Sequence, residues 1–266
     1  WMINLMPKNN IKTIATFHNV YGGNSYVKKY YNKGLSKMDH LVAISKYVKE
    51  TIIKNYNLSP NNISVINRGV DTKYFNQPLD VDIRNKIIKT NQIDTSKKII
   101  LFPARMTSWK GQLEFIDVIK NMNRHNILIL FAGDTKNKSY TKLVRNKIEL
   151  NNLEGVCKIL GNVNQDDMRA LYKLADLSVS FPLRAEGFGR TVSESLYSNT
   201  PVLAFDYGGV KNQLANLSGM FKVKPQDYQG LIAKIEKLLS LSEDQKKEVL
   251  EGVQSFIESN FSKINM

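Results

Sequence analysis

Two carboxylates enclose a glycine-containing stretch that begins where an apolar run ends at Phe181. Glu186 and Glu194 lie on either side of Gly187 and Gly189, and a helix-like sequence follows. Glycines between a strand and a helix let a ligand approach the backbone closely, and the free N–H groups of a first helical turn attract anions. The spacing is that of neither a Rossmann fingerprint nor a P-loop, so an ordinary strand–helix turn stays open as an alternative.

Two cations follow another apolar run. Arg105 comes directly after Phe102-Pro103-Ala104, and Lys110 opens the next helix-like stretch. Ligands of α/β proteins bind at the carboxyl edge of the sheet, where both cations are expected. Beside a helix N-terminus they could stabilise a diphosphate, whereas each alone would be an ordinary solvated charge. Turns at Gly133–Asp134 and Gly161–Val163 end two further strands and could line a nucleotide base or ribose, although turn chemistry alone explains both glycines.

Apolar strand candidates alternate with amphipathic helix candidates and would position these residues. Several of the strands lack strict alternation, as expected for a parallel sheet that is buried on both faces. The strand candidates are Thr13–Phe17, Leu41–Ile44, Ile63–Ile66, Lys98–Phe102, Ile127–Phe131, Val156–Leu160, Leu177–Phe181, Val202–Phe205 and Met220–Val223. The helix candidates are Ser45–Tyr56 with Ser45 as the N-cap, Gly111–Asn123, Gln165–Leu174 and Leu231–Leu239. This order predicts an α/β protein with crossover connections.

A polar, charged stretch near Gln77–Ser96 divides the chain into two predicted domains. Residues 1–76 hold about three strand candidates, too few for a complete Rossmann-like domain, and we expect its opening strands to be missing. Residues 77–96 are the predicted linker. Residues 97–241 are long enough for one complete doubly wound domain with a parallel sheet, and residues 242–266 follow as a C-terminal helix.

The composition is strongly basic, with 38 Lys and Arg against 24 Asp and Glu and a net charge of +14. Such a surface attracts phosphate, nucleic acid or anionic lipid, although lysines on solvated faces explain the excess equally well. The segment Tyr26–Lys33 interleaves aromatic residues with lysines; we interpret it as a solvated amphipathic helix, with a nucleic-acid or membrane contact as the alternative. The single cysteine, Cys157, excludes an internal disulfide and a Cys-rich zinc site and favours a reducing compartment. No apolar run approaches the roughly 18 residues of a membrane span.

Several motifs follow one another along the chain: Thr16–His18, Val42–Ser45, Val65–Asp71, Arg105 with Trp109–Gly111, Ala132–Asp134, Gly161–Val163, Glu186 with Glu194 eight positions later, Thr200–Val202 and Gly208–Val210. Their order resembles that of retaining family-4 glycosyltransferases (glycosyl transferase group 1), which have the GT-B fold. The resemblance covers nearly the whole chain. It implies that residues 1–76 belong to the acceptor-side domain, that residues 97–241 bind a nucleotide sugar, and that the C-terminal helix crosses back to the first domain.

The same resemblance implies transfer of a sugar from a nucleoside diphosphate to a hydroxyl, with retention and with neither an essential metal nor a cofactor. Arg105 and Lys110 would hold the diphosphate, Glu186 would contact the sugar hydroxyls, and His18 would reach the sugar from the first domain. Glu194 would bind the ribose. The remaining donor contacts would come from Gly133, Asp134, Asn162, Val163, Gly187, Phe188, Gly189, Arg190, Thr191 and Val192.

The implied partners are a nucleotide-sugar donor and a glycan or lipid-linked acceptor of the cell envelope. A cytoplasmic protein with peripheral contact to an anionic membrane is expected, and nucleic acid is not an expected partner. Lys211-Asn212 replaces the usual Pro-Glu of the family, so the Gly208–Val210 loop receives no role. The chain starts at Trp1 without a signal peptide, and both ends look cut, as in a processed chain or a fragment.

Four other functions fit parts of the sequence. A glycosidase could use Glu186 and Glu194 as paired carboxylates, but the neighbouring cations would then have no purpose. A metal-dependent sugar transferase could use Asp80-Val81-Asp82, although this triplet lies in the predicted linker and not after a buried strand. A basic binding protein and an inactive relative of the GT-B fold are the other two.

Overall fold

A computed structural model describes residues 11–19, 26–123 and 125–266. Nine strands and twelve α-helices alternate within these ranges. The strands are β1 (Ile14–Phe17), β2 (His40–Ala43), β3 (Ile63–Val65), β4 (Lys98–Pro103), β5 (Ile127–Ala132), β6 (Cys157–Gly161), β7 (Leu177–Ser180), β8 (Val202–Phe205) and β9 (Lys222–Val223). The helices are α1 (Tyr26–Leu35), α2 (Lys46–Tyr56), α3 (Thr72–Asn76), α4 (Val81–Thr90), α5 (Gln112–Lys120), α6 (Lys138–Leu150), α7 (Gln165–Leu174), α8 (Arg190–Tyr197), α9 (Gly208–Leu214), α10 (Tyr228–Leu239), α11 (Glu243–Leu250) and α12 (Val253–Phe261).

The described strands form two parallel sheets, as the unbroken apolar runs predict. The first has the order β1-β2-β3, and the second has the order β6-β5-β4-β7-β8-β9. Every residue of β5 is buried, as are the last five residues of β4, because helices cover both faces of the second sheet. Phe102, Phe115, Phe131, Phe181 and Phe205 pack as a chain of aromatic rings in its core.

The strand order of the second sheet reverses between β4 and β7. Strands β5 and β6 extend one side, and β8 and β9 extend the other. The loops after β4 and β7 therefore leave the sheet side by side and open a crevice at its carboxyl edge. Arg105 and Lys110 lie in the first of these loops, and the segment from Glu186 to Gly189 lies in the second.

The predicted linker contains a helix that the polar composition did not reveal. Asp80 caps α4 by accepting a hydrogen bond from the Asp82 amide at 2.8 Å, so the acidic triplet has a structural role. Ile87 is buried where α4 packs against α7, and the half-buried Ile83 and Ile88 also pack against the hydrophobic core.

The prediction of one C-terminal helix in residues 242–266 is wrong in one respect, because the structure has two helices there. Gly252 adopts a positive φ of 70° between α11 and α12 and changes the direction of the chain. The chain then returns to the first domain, where Val70 pairs with Ser262 in a parallel bridge and Lys263 Nζ lies 2.8 Å from the Asp71 carboxylate.

Other predicted boundaries shift by a few residues. The strand expected from Met220 is only β9, because Gly219–Phe221 forms a 3₁₀ turn. Helix α10 begins three residues earlier than expected, because Asp227 caps it. Helix α1 is confirmed over Tyr26–Lys33, whereas Trp1 lies outside the described residues. No helix in the described ranges is long and apolar enough to cross a membrane.

Candidate active site

A cleft of about 500 Å³ lies between the two sheets, at the edge where the strands end. It collects ten of the predicted site residues: His18, Arg105, Lys110, Gly133, Glu186, Gly187, Phe188, Gly189, Arg190 and Thr191. Most of them come from the ends of β4, β5 and β7 and from the start of α8, as predicted for one edge of the second sheet, whereas His18 follows β1 of the first sheet.

Five predicted donor contacts do not line this cleft: Asp134, Asn162, Val163, Val192 and Glu194. Val192 differs most from expectation. Its side chain is fully buried, and its amide donates to the Gly189 carbonyl at 3.0 Å, so this N–H is not available to an anion. Phe188 lines the cleft, yet its ring is buried against Phe261 with 5.7 Å between centroids, and we expect its backbone rather than its ring to contact a ligand.

Lys110 and Glu186 form an ion pair inside the cleft. The Lys110 ammonium contacts the Glu186 carboxylate and lies 4.4 Å from the centroid of the Trp109 ring. Both side chains are largely shielded from water, which strengthens the attraction between them. The sequence suggested separate tasks for the two residues; in the structure each also fixes the position of the other.

Arg105 has a different environment, because its side chain is exposed to solvent. Its backbone is held firmly, since the buried Gln112 amide donates to the Arg105 carbonyl at 2.9 Å. The next residue, Met106, donates to the Asp134 carbonyl at 2.8 Å. A rigid backbone with a solvated guanidinium suits a residue that must meet an anion in paired hydrogen bonds.

Glu194 lies behind the cleft, in the first turns of α8. Tyr172 donates to its carboxylate at 3.0 Å, and Arg190 Nε lies 2.8 Å from its other oxygen. Burial raises the pKa of Glu194, and the charge of Arg190 and the Tyr172 hydroxyl oppose this rise. A ligand hydroxyl that reaches this carboxylate would meet a group already oriented by two partners.

His18 is exposed at the end of β1, on the first-domain side of the cleft. Arg68 Nη2 lies 3.4 Å from His18 Nδ1. The cleft thus contains four cationic side chains, those of Arg68, Arg105, Lys110 and Arg190, of which Lys110 is paired with Glu186 and Arg190 with Glu194. In the described ranges no three His, Cys, Asp or Glu side chains lie close enough together to hold a metal ion.

Comparison with known proteins agrees with this geometry. The family of glycosyl transferases group 1 matches residues 83–250, and glycosyltransferase family 4 matches residues 1–74. The chain belongs to the glycosyl transferases group 1 family. The family resemblance predicted from the motifs is therefore confirmed.

Similar structures have the same fold as this group 1 chain. A glycosyltransferase from Rickettsia africae is 32% identical with a TM-score of 0.86, and the match covers 97% of this chain and 68% of that protein. An Anabaena protein solved with UDP and glucose is 20% identical with a TM-score of 0.83, over 95% and 68% of the two chains. These neighbours confirm the α/β, GT-B type of fold.

Curated relatives are more distant and longer. The O-antigen chain mannosyltransferase RfbU of Salmonella typhimurium is 28% identical over 87% of this chain and 62% of its own length. An uncharacterised glycosyltransferase of Methanocaldococcus jannaschii is 26% identical over 75% of this chain and 50% of its own length. The group 1 chain described here thus spans half to three fifths of the length of these relatives.

Sequence reasoning missed two parts of the site. The first is Arg68, which lies in the motif Val65–Asp71 but received no role. Its position just after the predicted strand Ile63–Ile66 could have indicated a place at the edge of a sheet, beside His18. The loop at Gly208–Val210 also received no role. The Gly209 amide donates to the Glu186 carbonyl at 2.8 Å, and a side chain at Gly208 would lie 2.7 Å from that same oxygen. These glycines therefore allow the start of α9 to pack directly against the loop that carries Glu186.

Proposed function

We propose that this chain is part of a retaining glycosyltransferase that moves a sugar from a nucleoside diphosphate to a hydroxyl acceptor without a metal ion. One observation carries the proposal. Four cationic side chains and the start of α8 meet in one cleft, beside the point where the strand order of the second sheet reverses. A diphosphate has the charge and the oxygen atoms that such a site attracts. The match to the glycosyl transferases group 1 family supports the same reaction class.

In this proposal Arg105 and Lys110 stabilise the negative charge that develops on the leaving diphosphate. The bond between the sugar and the diphosphate breaks, and a bond to the acceptor oxygen forms on the same face of the sugar. The acceptor proton passes to a diphosphate oxygen, so no carboxylate has to act as a nucleophile. Glu186 is assigned to the sugar hydroxyls, His18 to the sugar from the opposite wall, and Glu194 to the ribose. Asp134, Asn162 and Val163 would border the nucleoside.

A glycosidase fits the geometry less well. Glu186 is paired with Lys110, and Glu194 is paired with Arg190 outside the lining of the cleft, so the two carboxylates do not flank a shared space for a glycosidic bond. A retaining glycosidase needs two carboxyl groups that face each other across the substrate, about 5 Å apart.

Nucleotide binding tests the proposal directly. Calorimetry with UDP, GDP and ADP and with the corresponding monophosphates should identify one base whose diphosphate binds more tightly than its monophosphate. The sugar donors of that base should then support transfer in the presence of EDTA, and the anomeric configuration of the product can be read by NMR. Binding of none of the three diphosphates, or transfer abolished by EDTA, would contradict the proposal.

The proposed acceptor is a cell-envelope glycan or glycolipid, reached by peripheral contact with an anionic membrane. The name of the RfbU relative, an O-antigen chain mannosyltransferase, supports this acceptor class. Helix α1 supports the membrane contact, because Tyr26 and Val27 are 93% and 79% exposed in a basic segment.

Vesicle sedimentation tests this contact. The parent should bind phosphatidylglycerol vesicles at low salt, release them at high salt, and lose binding in a Lys28→Gln/Lys29→Gln variant. Lys86→Gln/Lys89→Gln on the exposed face of α4 is the matched control and should bind like the parent. Equal binding to neutral vesicles, or equal losses in both variants, would contradict a specific contact of α1.

A further inference from the structure

The loop between β7 and α8 has an unusual backbone arrangement, because four consecutive carbonyls each accept a hydrogen bond. The Glu186 carbonyl accepts from the Gly209 amide, and the Gly187 carbonyl accepts from Ser45 Oγ at 2.5 Å. The Phe188 carbonyl accepts from Gln213 Nε2, and the Gly189 carbonyl accepts from the same nitrogen at 3.3 Å.

These bonds determine which way the loop amides face. The N–H of a trans peptide points away from the carbonyl of the same peptide group, and the described chain contains no cis peptide. A carbonyl that is held by Ser45 or Gln213 therefore turns the amide of the next residue to the opposite side. The amides of Phe188, Gly189 and Arg190 therefore face away from Ser45 and Gln213, in a loop whose residues line the cleft.

Ser45 reaches this loop from the other domain. It is the N-cap of α2, where its hydroxyl accepts from the Val48 amide at 3.1 Å while donating to Gly187, and it is 1% exposed. The two domains touch closely here, since a side chain at Gly187 would lie 2.7 Å from the His18 carbonyl. A hydroxyl is the smallest group that can cap the helix and hold the loop at once.

Gln213 binds the same loop through its side-chain amide. It lies on α9, is completely buried, and its Oε1 has no hydrogen-bond partner among the described residues. An apolar residue would fill this core position without leaving a polar atom unsatisfied. The amide is therefore explained by its two bonds to the loop rather than by packing.

We infer that Ser45 and Gln213 are positioning residues that turn the loop amides toward the donor diphosphate, and that contact with the first domain thereby completes the donor site of the second. The inference rests on the proposed function. It assigns neither residue a contact with the substrate.

The test compares Ser45→Ala and Gln213→Leu with two controls. Ser242→Ala removes the N-cap of α11, a serine that bonds Gln245 and not the loop, and Ser45→Thr retains the hydroxyl. Calorimetry with UDP and GDP and with UMP and GMP measures the contribution of the second phosphate. Amide hydrogen exchange at Val192 and Gly209, whose amides donate to the Gly189 and Glu186 carbonyls, measures the loop itself without any nucleotide.

We expect diphosphate affinity to fall on the order of tenfold in Ser45→Ala and Gln213→Leu, with a smaller loss for the monophosphate. Exchange at Val192 and Gly209 should accelerate in both variants, while α10 stays as in the parent. Ser242→Ala and Ser45→Thr should bind like the parent. A merely structural role would weaken both nucleotides equally.

Equal losses for diphosphate and monophosphate, or unchanged exchange at Val192 and Gly209, would overturn the inference. If the parent binds neither UDP nor GDP, the proposed function fails and so does the link to a diphosphate. The exchange experiment then still decides whether the two residues hold the loop, so the two failures are distinguishable.

Discussion

Arg105 and Lys110 share a charge and a cleft but differ in their surroundings. Arg105 is exposed, whereas Lys110 is shielded and paired with Glu186. Removing an exposed cation changes ligand binding alone, whereas removing Lys110 also leaves the Glu186 carboxylate without its cation in a largely shielded site.

Arg105→Ala and Lys110→Ala should each lower transfer activity by about 10²–10³-fold while the protein stays folded. Only Lys110→Ala should also lose stability, by about 2 kcal/mol in urea unfolding. Adding Glu186→Gln to Lys110→Ala should restore stability but not activity. Parent-like turnover by both single variants would refute the assignment of the phosphate contacts.

Glu194 should produce a pH-dependent stability. Burial raises its pKa above the ordinary value of 4.5, so the folded chain holds this proton to a higher pH than the unfolded chain does. The stability that the protonated Glu194 contributes to the folded chain is therefore fully present below pH 4.5. It is lost as the pH rises through the folded-state pKa.

Glu194→Gln removes this titration. The melting temperature of the variant should approach that of the parent near pH 4 and exceed it increasingly toward pH 8, as thermal unfolding across this range would reveal. If the difference in melting temperature between Glu194→Gln and the parent stays constant from pH 4 to pH 8, Glu194 does not titrate in this way.

At the scale of elements, only two residues, Glu251 and Gly252, separate α11 from α12. Gly252 adopts a positive φ that side chains disfavour, and no other atom would lie within 4 Å of a side chain there. A substitution therefore tests backbone strain without steric overlap.

Gly252→Ala should destabilise the chain by about 1 kcal/mol in urea unfolding. Gly155→Ala is the matched control, because its surroundings are equally open and its φ is not positive, and it should be neutral or slightly stabilising. The same stability for both variants would mean that the break between the helices does not depend on glycine.

At the scale of the whole molecule, one buried arginine ties the second domain to the segment that enters it. Arg169 on α7 is 3% exposed, donates to the Tyr74 carbonyl at 2.7 Å and to the Pro78 carbonyl at 3.3 Å, and stacks on the Tyr74 ring at 4.9 Å. Its planar, forked guanidinium suits two separate carbonyls better than a lysine would.

Arg169→Ala should cost about 2–3 kcal/mol in urea unfolding and expose residues 74–80 to limited proteolysis, because three carbonyl bonds to this arginine would be lost. Arg145→Ala on the exposed face of α6 is the control and should behave like the parent. Protection of residues 74–80 in Arg169→Ala would contradict the role of this arginine.

The amino-acid sequence by itself determined the α/β class, the strands, and the two loops that carry Arg105 and Glu186. Apolar runs and turn residues are local signals, and a parallel sheet places successive strand ends on one edge. Helix α4 was not predicted, because charged and polar residues separate most of its apolar residues and only Ile87 is fully buried.

Only the tertiary structure decided how these local pieces meet. Lys110 and Glu186 are 76 positions apart, and Ser45 and Gly187 are 142 apart, so no short-range pattern pairs them. Each contact depends on how helices and loops pack on the two sheets. The role of Gln213 likewise exists only through space, because its sequence neighbours are those of an ordinary amphipathic helix whereas its hydrogen bonds end on a different loop.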